Sequence, residues 1–119
     1  MNVTVGVYKK ARAVILQNDL LRAVVLPERG SKIASLVYRP LGRELLWQTA
    51  GEEYPPAKYA DPYGPEHATG FDEMFPTISP CWCEDFPWAG TAMPDHGEVW
   101  SLRGTMRSRT TTWPWEFTA

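Results

Sequence analysis

Proline cannot donate to a sheet ladder and breaks a helix interior, and eight of this chain's eleven prolines fall between Gly51 and Pro94. The same stretch holds more than half of the aromatic residues, Trp82, Phe86 and Trp88 among them. Regular secondary structure is therefore expected on either side of it, and the middle is expected to be mostly loop. A long loop rich in rings and carboxylates reads as a binding surface rather than a linker. A length of 119 residues has room for one domain. Residues 1–119 are read as that domain, with a β-meander over 1–48, an acidic loop-rich segment over 49–94, and a strand with an unassigned tail over 95–119.

The meander rests on turn chemistry. Asn18-Asp19 and Pro27-Glu28-Arg29-Gly30 interrupt apolar and β-branched runs, which predicts strands at 13–16, 20–26, 31–39 and 44–48. In the third of these both alternating faces are largely apolar, with Ile33 and Val37 on one and Ala34, Leu36 and Tyr38 on the other, as in a sheet covered on both sides. The fold class expected is all-β.

The net charge of −2 hides an asymmetry: residues 1–48 carry +5, residues 49–98 carry −9 and residues 99–119 carry +2. With no basic stripe, nucleic acid is not expected as a partner. No apolar run approaches the roughly 20 residues of a membrane-spanning helix, and residues 1–10 lack the pattern of a signal peptide, so a cytoplasmic protein without membrane contact is expected. Cys81 and Cys83, the only cysteines, stand at a spacing poorly suited to bonding each other, which fits a reducing compartment. Cys81-Trp82-Cys83 also lacks the two-residue gap of a zinc knuckle and a second cysteine pair, so no metal site is expected. Phosphate-loop and dinucleotide fingerprints are absent.

Two clusters invite a site reading: Gly70-Phe71-Asp72-Glu73-Met74-Phe75-Pro76 and Pro94-Asp95-His96-Gly97-Glu98-Val99-Trp100. His96 can give and accept protons near neutral pH, Asp95 or Glu98 can set its tautomer, and Gly97 lets backbone approach a ligand closely. His67, in a proline-rich loop, is the weaker histidine candidate.

These motifs resemble the aldose 1-epimerase, or galactose mutarotase-like, family. The run from Asn18 through Gly30-Ser31-Lys32-Ile33 to Gly42-Arg43-Glu44-Leu45-Leu46-Trp47 looks like that family's opening meander, Gly70-Phe71-Asp72-Glu73 like its glycine-led sugar-site strand, and Asp95-His96-Gly97-Glu98 like its histidine-glycine motif. The likeness spans residues 12–100. It implies a large antiparallel β-sandwich, here incomplete and carrying a long proline- and aromatic-rich loop, that binds a monosaccharide and interconverts its anomers without a cofactor. In that chemistry a carboxylate takes the anomeric hydroxyl proton while a histidine protonates the ring oxygen. His96 matches the family's first histidine and is the catalytic candidate. Asp72, Glu73, Asp95, His96, Glu98 and Trp100 are the substrate-binding candidates. Asp72 and Glu73 stand in a segment where the family's sugar-binding arginine is not evident.

The family's glutamate base and second histidine lie beyond residue 119, so the chain is expected to be a truncated or frame-altered, catalytically incomplete isomerase. A noncatalytic sugar-binding or structural β-sandwich domain is the alternative. Missing strands would leave sheet edges open, and open edges recruit partners. A homo-oligomer is expected, or else a cover supplied by Trp113, Trp115 and Phe117.

Overall fold

The structure, a computed structural model, describes residues 1–51, 53–54, 56–108 and 115–118, with side chains described through Met106. The described residues are all-β apart from two 3-10 turns at Arg39–Leu41 and Val99–Ser101. Strands β1 (Asn2–Tyr8), β2 (Ala11–Gln17), β3 (Leu21–Leu26), β4 (Lys32–Tyr38) and β5 (Arg43–Glu44) form one sheet in sequential order, antiparallel throughout. Two small hairpins follow, β6 (Cys81–Trp82) with β7 (Ala92–Met93), and β8 (Thr105–Ser108) with β9 (Trp115–Thr118). Of the aromatic cover expected at the C-terminus, Trp113 lies outside the described residues, as do the side chains of Trp115 and Phe117.

The turns hold the meander together. Asn18 Oδ1 accepts from the backbone N–H groups of Leu20 and Leu21 at 2.9 and 2.8 Å, an Asx turn that sets β2 against β3. Gly30 sits at φ 59°, and a Cβ there would meet Val99 O at 2.3 Å and Trp100 Cα at 2.6 Å. Only glycine admits that approach. Gly30 N–H donates to Leu102 O at 2.7 Å, so the turn between β3 and β4 also seats the Val99–Ser101 turn.

Strand β1 lies outside the strands read from sequence, although Val3, Val5 and Val7 alternate along it. The β1–β2 connection is Lys9-Lys10, both at positive φ (44° and 64°), as a two-residue hairpin turn requires. Lysine gives no hint of that conformation, which usually belongs to Asn or Gly. The strand expected at 44–48 stops at Glu44. The Glu44 carboxylate accepts from Ser35 Oγ at 2.5 Å and from the N–H groups of Leu36, Leu46 and Leu45 at 2.9, 3.0 and 3.1 Å. The chain wraps around this group and leaves the ladder.

Val24, Leu26, Ala13 and Ala34 form the buried centre of the sheet, closed by Tyr54 from the loop segment, with Tyr8, Ala11 and Ile15 at its margin. Tyr54 Oη donates to Ala34 O at 3.3 Å. A single ring from the proline-rich stretch thus covers the sheet and satisfies its own hydroxyl there.

Burial pushes the Glu44 carboxyl up, but its hydrogen bonds from Ser35, Leu36, Leu46 and Leu45 outweigh burial and hold it below its ordinary 4.5. The unfolded chain therefore binds more protons in this window, and the stability Glu44 contributes, complete above about pH 4.5, is lost as pH falls through the lower folded value. Glu44→Gln is expected to lower Tm at pH 7 and to flatten its decline on the acid side. Parallel Tm profiles for the two proteins would show that this carboxylate does not pin the β4–β5 edge.

Candidate functional site

Segment 67–72 is fastened to β4 by backbone. Ile33 and Phe71 exchange N–H···O bonds of 3.0 and 2.9 Å in an isolated antiparallel bridge. Gly70, at φ 78°, lies so close that a Cβ would stand 2.5 Å from Ile33 O. The bridge brings Asp72 beside Lys32 at the start of β4. Lys32 Nζ donates to Asp72 Oδ2 and Thr69 O, each at 2.5 Å, and to His67 O at 2.7 Å. All three ammonium donors are spent, and the side chains of Lys32 and Asp72 are 5% and 2% exposed.

Tyr63 adds a hydroxyl to the same oxygen, donating to Asp72 Oδ2 at 2.8 Å. Burial raises the Tyr63 phenol well above its ordinary value, and the hydrogen bond to Asp72 and its charge add to that. Burial lowers the Lys32 ammonium from 10.5, against the upward pull of the hydrogen bond and charge of Asp72.

The second motif docks on the first. His96 N–H donates to Ile78 O at 2.9 Å and Glu98 N–H to Phe75 O at 2.8 Å. His96 and Gly97 turn the chain at φ 59° and 73°, and a Cβ on Gly97 would meet Phe75 O at 2.4 Å. This packing lays the His96 imidazole on the Tyr63 ring, with centroids 4.0 Å apart and planes 12° from parallel. Trp100 meets Tyr63 edge-on at 5.1 Å and His67 at 4.9 Å. Asp95 Oδ1 is 2.9 Å from His96 Nδ1. His96 Nδ1 is buried and has no hydrogen-bond partner.

The sequence candidates divide accordingly. Asp72, His96 and Trp100 gather around Tyr63 with Asp95 beside His96 and Trp100, whereas Glu98 accepts from Tyr59 Oη at 2.7 Å. Trp100 is 3% exposed and donates Nε1–H to Asp95 O at 3.2 Å, so it is a wall of the cluster rather than an open ring. Glu73 is exposed and edges a cleft of about 520 Å³ lined with Tyr63, Gly70, Phe71, Asp72 and Met74. The residues that sequence reasoning missed are Lys32 and Tyr63. Lys32 reads as one more surface base, and Tyr63 belongs to no motif.

Among the described residues, no three His, Cys, Asp or Glu side chains gather to hold a metal ion, and no helix is long and apolar enough to cross a membrane. Both cysteines are free. No protein-family model matches the chain, and no curated protein matches it.

Removing one partner of a buried ion pair strands the other charge and costs about 3–5 kcal/mol, whereas replacing both with apolar groups of similar volume is often neutral. Asp72→Asn is expected to destabilise by that amount in urea unfolding, and Lys32→Met with Asp72→Leu to restore much of the loss. A cost below about 1 kcal/mol for the single variant, the range of an exposed pair, would contradict the burial described here.

Proposed function

We propose that the chain is a carbohydrate-binding β-sandwich of the galactose mutarotase-like kind, taking a monosaccharide at the cleft beside Tyr63, Asp72 and His96. The observation that carries this reading is a pair of buried side-chain atoms without hydrogen-bond partners, Asp72 Oδ1 and His96 Nδ1, in one cluster of stacked rings. A buried polar atom left unpaired costs about 1–3 kcal/mol. A sugar hydroxyl, donor and acceptor at once, is suited to relieve it. Phe71, 51% exposed on the same cleft, offers a ring face for the apolar side of a pyranose.

Catalysis is proposed to be incomplete. His96 supplies a proton donor for a ring oxygen, but Asp72 Oδ2 is committed to Lys32 and Tyr63 and is a poor base for an anomeric hydroxyl. The same reading places the protein in the cytoplasm and pairs copies through the open edge of β1, where Val5 and Val7 are 48% and 73% exposed.

Titration with galactose and glucose, followed by amide NMR, is expected to shift Gly70 to Glu73 together with His96 and Gly97. Tyr63→Phe should weaken binding about tenfold, the equivalent of about 1.4 kcal/mol. Polarimetry of fresh α-anomers should show no acceleration over buffer. Shifts elsewhere, or none at millimolar sugar, would leave the cluster a structural strut. An acceleration lost in His96→Ala would mean that a base is present after all.

A further inference from the structure

Outside this cluster, the β6–β7 hairpin places three sulfur-bearing residues on one face. Cys81 pairs directly with Met93 across the two strands, and residues opposite each other in an antiparallel ladder project to the same face. Beyond Trp82 the hairpin continues: Cys83 N–H donates to Thr91 O at 2.9 Å, and Gly90 N–H to Cys83 O at 2.8 Å. In an extended chain residues i and i+2 share a face, about 6.6 Å apart at 3.3 Å per residue. Cys83 therefore stands beside Cys81, Met93 stands across from Cys81, and Trp82 projects to the other side. Cys81 is exposed and Cys83 and Met93 are partly exposed, so the face is open to a small ion.

We propose that Cys81, Cys83 and Met93 form a three-sulfur binding site for a soft monovalent cation, Cu(I). Thiolate and thioether ligands together select Cu(I) over harder divalent ions. Zinc, by contrast, takes four ligands in its structural sites, and the hairpin provides three, one of them a neutral thioether. Binding involves no change of oxidation state. Each thiol loses its proton to solvent, two sulfur–copper bonds form, the Met93 thioether donates a lone pair as the third, and the bound unit carries a net charge of −1. Glu84 and Asp85 follow Cys83 directly in the chain, and their field draws cations toward the hairpin.

The test uses the whole reduced chain under anaerobic conditions, titrated with Cu(I) in competition with the chromogenic chelator bicinchoninate and, separately, with Ag(I) as a redox-inert probe. One equivalent per monomer is expected. Methyl NMR should show a shift of the Met93 ε-methyl, with Met1, Met74 and Met106 unmoved, and tryptophan fluorescence should fall. Cys81→Ser and Cys83→Ser should each weaken binding by more than the roughly 10–100-fold that loss of an outer-shell partner costs, with Met93→Leu a smaller loss and Zn(II) a poor competitor. Unchanged affinity in either serine variant, an unmoved Met93 methyl, or one copper per two chains would overturn the proposal.

Discussion

A buried ammonium organises this protein. Lys32 stands at the first position of β4 with its side chain 5% exposed, and water cannot solvate a charge placed there. Its three donors must be met by protein. They are met by Asp72 Oδ2, Thr69 O and His67 O, all from one short stretch, 67–72, that belongs to none of the strands β1–β9. The need to satisfy one charge thus converts a proline-rich loop into a defined layer over the sheet. The Ile33–Phe71 bridge supports the same docking through backbone, and Gly70 permits it sterically.

From that anchor the cluster grows by contact. Asp72, held by Lys32, accepts from Tyr63; Tyr63 lies flat on His96; Trp100 closes the edge. Glycines decide the spacing at each join, because Gly30, Gly70 and Gly97 all sit where a Cβ would strike backbone within 2.5 Å. Each would be strained twice in any other residue, by the clash and by its positive φ. The site is accordingly a product of backbone approach first and of side-chain chemistry second.

The legibility of the sequence followed the visibility of its turns. The strands around Asn18-Asp19 and Pro27-Glu28-Arg29-Gly30 were readable because those residues announce the turns that separate them. Strand β1 was not, because Lys9-Lys10 adopts positive φ without the residue types that signal it. The segment 44–48 reads as strand by its leucines, but it is governed by the four hydrogen bonds that Glu44 accepts. Both polar motifs were visible as clusters of turn formers and aromatics, whereas their docking through Phe75 and Gly97 was not. Lys32 and Tyr63 were invisible for a different reason: their roles come from residues 40 and 9 positions away, a separation no local pattern encodes.

Charge provides the last step. The +5 of residues 1–48 against the −9 of residues 49–98 invites a picture of two halves drawn together by many ion pairs. Among the described residues, two pairs cross that divide, Lys10 with Glu53 and Lys32 with Asp72. The first is exposed on both sides and, like most surface pairs, contributes little. The second is sequestered from solvent and dictates geometry, since a buried charge that loses its partner is far costlier than an exposed one. Most of the acidic excess, Glu73, Glu84 and Asp85 included, remains exposed, where it repels like charge and draws cations. What distinguishes Asp72 from these is therefore its place in the fold, and with it the buried, unpaired Oδ1 it holds.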